Sequence, residues 1–154
     1  MSTQTVQNSP AEREFVVEHT FNVPVEDVFN AYTDSHMLSL WWAPKGGSLT
    51  VETMDVRPGG MYRFVQRDAK GHTMVYAGKY LDVQPNTRLM YTFSVEGQNN
   101  NSTTTVDLKE SNGKTNLKFT NRYSSKEERD TMLQNGAAAG AKAAFNRLDE
   151  ILSG

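Results

Sequence analysis

Between Glu14 and Val23 apolar side chains alternate with polar ones, with Phe15, Val17, Phe21 and Val23 on one face and Glu14, Glu18 and Asn22 on the other. That is the period of a half-buried strand. Pro24 follows at a good first position for a helix, where its missing N–H costs nothing. Glu26 and Asp27 add favourable charge to the first turn, and Val28, Phe29 and Tyr32 give the segment one apolar side. Asp34 reads as the N-cap of a second short helix carrying Met37, Leu38, Trp41 and Trp42, which Pro44, Gly46 and Gly47 terminate. From Ser48 to about Tyr123 the pattern is strand and turn. Strands are expected at Leu49–Val56, Met61–Arg67, Thr73–Val83, Arg88–Val95, Thr103–Lys109 and Thr115–Tyr123. The last two are joined by Asn112-Gly113, a strong hairpin signal. Short turns imply antiparallel neighbours, about seven strands in all.

The chain closes with apolar or small residues at helical spacing, namely Leu133, Ala137, Gly140, Ala144, Leu148 and Ile151. One helix is expected over Lys126–Leu152, with a capping box from Ser124 to Glu127 or from Ser125 to Glu128. The predicted class is α+β: a curved antiparallel sheet wrapped around this helix, with two short helices after the first strand. The strands carry bulky rings (Tyr62, Phe64, Tyr76, Tyr80, Tyr91, Phe93 and Phe119), whereas the helix centre is glycine and alanine from Gly136 to Ala144. Two readings stand. Small residues let the helix lie tight on the sheet, or they leave a void that a ligand fills.

A chain of 154 residues fits one domain, and at this size a hydrophobic core needs no covalent staples. Residues 1–12 are small and polar and read as a disordered tail, leaving residues 13–154 as the domain. The sequence has no cysteine, which excludes disulfides and thiolate zinc sites. The formal charge of -2 comes from mixed acids and bases, with no basic block to recommend nucleic acid. No apolar run is long enough to insert into a membrane, and no signal peptide is evident. A cytoplasmic location is expected.

Several ordered segments resemble a known superfamily. They are Asn22-Val-Pro-Val-Glu-Asp-Val-Phe-Asn-Ala-Tyr-Thr-Asp34, Leu40-Trp-Trp-Ala-Pro44, Asp55-Val-Arg-Pro-Gly-Gly60, Pro85-x-x-x-Leu89 and Arg147-Leu-Asp-Glu-Ile-Leu152. Together they resemble the START-like, birch-pollen-allergen-like (SRPBCC) proteins. Within these they are most similar to the subfamily named for homology to the activator of the heat-shock protein 90 ATPase. The resemblance spans about residues 14 to 152. It implies a helix-grip fold with a cavity between sheet and helix, in which relatives hold lipids, polyketides or other hydrophobic molecules. Some relatives are cyclases or dehydratases. The chain resembles only the C-terminal domain of the eukaryotic co-chaperone, so a chaperone partner is not expected.

Binding of a small hydrophobic ligand is therefore the leading expectation. Its contacts would come from Trp41, Trp42, Tyr62, Phe64, Tyr76, Tyr91, Phe93, Phe119, Gly136, Gly140 and Ala144. No hydrolase, metalloprotease, P-loop or dinucleotide motif occurs. If the cavity were catalytic, His19, Glu52, Arg63 and Tyr80 are the candidate acid, base and orienting groups. His19 is in phase with the core face of its strand, and an imidazole can serve as acid or base near neutral pH. His36 and His72 read as surface residues. Three scattered histidines without a carboxylate cluster do not make a metal site, and nothing in the sequence calls for a cofactor. A homodimer is compatible with the sequence on base rate alone.

Overall fold

The computed structural model describes residues 10–98 and 101–153. Of the expected tail, residues 1–9 lie outside the described residues, and Pro10–Arg13 form a single 3-10 turn. Seven strands follow the sequence pattern: β1 Glu14–Phe21, β2 Ser48–Met54, β3 Met61–Arg67, β4 Thr73–Gln84, β5 Arg88–Val95, β6 Asn101–Ser111 and β7 Lys114–Arg122. They form one antiparallel sheet in the order β1-β7-β6-β5-β4-β3-β2. The β6–β7 turn is Asn112-Gly113, with φ of 55 and 77 degrees, the paired left-handed conformation that a tight hairpin of this twist requires.

Between β1 and β2, which are opposite edges of the sheet, run helices α1 (Val25–Thr33) and α2 (Ser35–Trp41). Pro24 is the N-cap of α1 rather than its first residue. Because proline offers no side-chain acceptor, the free N–H of Val25 is taken by Glu110 Oε1 of β6 at 2.7 Å. Asp34 caps α2 as its sequence implies, accepting from Met37 N at 3.0 Å. Trp41 at the end of α2 is buried, and its Nε1–H donates to Ala31 O at 2.9 Å, so the two short helices are locked together.

The expected single C-terminal helix is two helices, α3 (Lys126–Gln134) and α4 (Ala137–Ser153). The break is at Asn135-Gly136, where Gly136 has a φ of 90 degrees. That is a conformation glycine adopts freely and a helix interior does not. The capping box forms in the second of its two possible registers. Ser125 Oγ accepts from Glu128 N, while Glu128 reaches back to the N–H of Ser124. Phe145 and Leu148 of α4 are fully buried. Phe145 meets Phe21, Phe119 and Trp41 with ring centroids 5.7–6.4 Å apart. These contacts pin the C-terminal half of α4 to the sheet. No helix among the described residues is long and apolar enough to cross a membrane.

Candidate functional site

Alternation sends Phe15 of β1, Phe119 and Asn121 of β7, Thr104 of β6, Tyr91 and Phe93 of β5 and Tyr76 of β4 to the concave face of the sheet. Facing them, α4 presents Gly140, Ala141 and Ala144 before the anchoring Phe145. The side chains that would fill the gap are missing, and a cavity of about 680 Å³ remains between sheet and helix. Trp41 and Trp42 close it from α2, and Met132, Asn135 and Gly136 border it at the α3–α4 break. A Cβ built on Gly140 would meet no atom within 4 Å, so this glycine adjoins open space rather than a tight helix–sheet contact. Trp42 leans on Phe64, Tyr76 and Phe93 at centroid distances of 5.7–6.4 Å, and Tyr76 stacks on Phe93. Trp42, Tyr76 and Phe93 therefore form a contiguous aromatic patch on the wall.

The wall also carries polar groups. Thr104 Oγ1 donates to Asn121 Oδ1 at 2.9 Å, and Asn121 Nδ2 donates to Tyr123 Oη at 2.7 Å. Thr104 also shares a hydrogen bond with Tyr91. Burial raises the Tyr91 and Tyr123 phenols above their ordinary value, so both stay neutral and able to donate. Burial also raises Tyr76, partly offset by a hydrogen bond from Gln66. At the other wall Arg147 of α4 donates from Nε to the carbonyl of Trp41 at 3.1 Å and from Nη2 to the carbonyl of Trp42 at 3.2 Å. These carbonyls are at the C-terminal end of α2, where a cation is favoured. Burial lowers the Arg147 pKa, but a guanidinium keeps its charge throughout the neutral range.

Of the residues expected to touch a ligand, Trp41, Trp42, Tyr76, Tyr91, Phe93, Phe119, Gly136, Gly140 and Ala144 line this cavity. Tyr62 and Phe64 do not. They pack with Tyr80 in a separate aromatic knot around a void of only about 10 Å³. Tyr62 Oη is spent on the carbonyl of Thr92 at 2.7 Å. The four candidate catalytic groups are not brought together. His19 does face inward from β1, but Asp149 of α4 meets it, with Nε2 and Oδ2 2.7 Å apart, outside the cavity wall. Glu52 and Arg63 do pair, on the opposite face of the sheet, where Glu96 also binds Arg63 at 3.0 and 3.1 Å. Tyr80 is buried in the knot behind the wall. His36 is exposed, and His72 is an exposed partner of Asp68.

Arg147, Thr104, Asn121 and Tyr123 are wall residues that sequence reasoning did not single out. The signal for Thr104 and Asn121 was their phase, two residues from Val106 and Phe119 on the inward face. For Arg147 it was helical spacing, three residues beyond Ala144.

The fold has many relatives of known structure. A Rhodobacter sphaeroides protein superposes with a TM-score of 0.86 at 22% identity, covering 92% of this chain and 93% of that one. An Arthrobacter aurescens protein gives 0.87 at 19% identity, with 94% and 88% covered. A Mycobacterium smegmatis protein gives 0.84 at 22% identity, with 94% and 93% covered. No curated protein matches the sequence. The profile described as "Activator of Hsp90 ATPase homolog 1-like protein" matches residues 22–153, nearly the whole chain, and the protein belongs to that family, within the SRPBCC superfamily.

Proposed function

We propose that the protein binds a small, mainly apolar molecule in the cavity between the sheet and α4. The observation that carries this reading is the 680 Å³ space beside Gly140, a volume in the range of small-molecule sites, walled by aromatic rings with a few fixed polar groups. Burial of a ligand's hydrocarbon surface supplies the affinity, at roughly 25 cal/mol per Å² before the cost of immobilisation. The Thr104–Asn121–Tyr123 chain supplies orientation by offering neutral donors and acceptors.

The test is native mass spectrometry of freshly purified protein, followed by thermal-shift titration with fatty acids, sterols and aromatic acids. A ligand bound only by the folded state raises the melting temperature, and the rise grows with the logarithm of free ligand concentration above Kd. Gly140→Leu should place an isobutyl group in the cavity and abolish the shift while the protein stays folded. A folded Gly140→Leu variant that keeps full ligand capacity would place binding elsewhere.

A further inference from the structure

We infer that the cavity's ligand is an amphiphile bearing a single carboxylate, which Arg147 receives. The inference rests on the binding reading above and adds the chemistry of the head group.

Arg147 is the one residue of the cavity wall, among the described residues, that carries a charge at neutral pH. No acidic residue lines the wall with it, and Arg147 takes part in no ion pair among the described residues. Arg63 by contrast faces Glu52 and Glu96, Arg88 faces Asp107 and Arg122 faces Glu14. Arg147 has instead two backbone carbonyls, which engage Nε and Nη2 and leave Nη1 without an acceptor among the described residues. The carbonyls do more than satisfy it. They hold the planar group against Trp41 and Trp42, two residues of the wall, so that its remaining N–H donors are fixed before any ligand arrives. Arg147 is partly buried at the edge of an apolar space and has no counter-ion among the described residues. An incoming carboxylate neutralises it and matches the guanidinium fork in shape.

The wall favours a carboxylate over a phosphate dianion on charge. One cation balances one negative charge, and no second Lys or Arg lines the cavity to receive another. Helix length fits an elongated body. Ala137 and Arg147 both border the cavity from α4, and ten helical residues span about 15 Å. An apolar chain can therefore lie along the glycine–alanine stripe with its acid end at Arg147.

The test uses decanoate and decanol, which share a hydrocarbon body and differ in the head group, titrated by calorimetry into wild-type protein and into Arg147→Gln and Arg147→Lys. In wild type decanoate should bind about tenfold or more tighter than decanol, the scale of a hydrogen bond to a charged group. Arg147→Gln should remove that preference by weakening decanoate far more than decanol, and the decanol that still binds verifies that the cavity is intact. Arg147→Lys, which keeps the charge without the fork, should retain part of the preference, and it stands in if the glutamine variant does not fold. Equal binding of the two probes by wild type, or a preference that survives Arg147→Gln, overturns the carboxylate assignment while leaving the cavity reading in place. Binding of neither probe overturns the carboxylate assignment, and the cavity reading then stands or falls on the thermal-shift titration with sterols and aromatic acids.

Discussion

His19 on β1 and Asp149 on α4 are in direct contact, Nε2 to Oδ2, at 2.7 Å, and the contact joins the first strand to the last helix across 130 positions of sequence. The imidazole is flanked by Phe21 and Phe145 at 4.5 and 6.3 Å, so the pair sits at the edge of the aromatic anchor rather than in the cavity. Its role follows from position. It holds the C-terminal half of α4 against the sheet edge, in a partly buried setting where both side chains keep some exposure.

Removing that clasp should therefore affect stability and not ligand capacity. His19→Ala and Asp149→Asn are each expected to lower unfolding free energy by about 1 kcal/mol. The double variant should cost less than the sum of the two, because the second change removes a partner already lost. Urea unfolding of the four proteins measures the coupling. A fully additive result would mean that the contact contributes nothing.

The two glycines at the start of α4 should respond in opposite ways. Gly140 lies within the helix with open space where a Cβ would go, so Gly140→Ala should stabilise by about 0.5–1 kcal/mol. Gly136 ends α3 with a φ of 90 degrees, so Gly136→Ala should destabilise by about 1 kcal/mol. Thermal unfolding of both variants checks the pair.

Alkaline pH should weaken the fold through its buried phenols. Burial raises the pKa of Tyr62 far above the ordinary value of 10.0, with Tyr91 and Tyr80 adding to the effect. Above pH 10 the unfolded chain loses this proton while the folded protein keeps it, so stability falls as pH rises, until the folded phenol itself titrates. At pH 11 the loss from one such tyrosine is about 1.4 kcal/mol. Tyr62→Phe should be less stable than wild type at pH 8, having lost the bond to Thr92, but the gap should narrow by that amount at pH 11. A gap that stays constant would show that Tyr62 titrates alike in both states.

The outer-face cluster should be separable from the site. Arg63, Glu52 and Glu96 are partly exposed on the convex side of the sheet. Arg63→Gln is expected to change stability by less than about 1 kcal/mol and to leave decanol binding unchanged. Any loss of binding, measured by the same calorimetry, would tie this cluster to the cavity.

Most of the scaffold was legible because strand alternation, the Asn112-Gly113 turn and the Asp34 cap are local signals that burial reinforces. The break between α3 and α4 was harder to read. Leu133 and Ala137 keep helical spacing across it, and Gly136 fits a helix interior or a helix end equally well until its φ is known. The aromatic half of the site was visible in composition, but alternation alone could not say which rings border open space. Tyr62 and Phe64 share the inward phase of Tyr76 and Phe93 yet pack against Tyr80. Which of them meets the void depends on where Trp42 falls, a tertiary fact. Arg147 was missed because its meaning lies in having no acid beside it, and sequence does not show the company a side chain keeps.

The strand order has a kinetic consequence. From β2 to β7 each strand pairs with the one that follows it, and such contacts close over short loops. By contrast β1 reaches β7 with Glu14 opposite Arg122, a separation of 108 residues. Closing so large a loop is entropically expensive, and contacts of that range form slowly. The meander should therefore assemble first and accept β1 last, so substitutions at Phe15 or Val17 should speed unfolding more than they slow folding. Until that late step Phe15 is absent from the wall, and a folding intermediate lacking β1 would offer a guest only an incomplete berth.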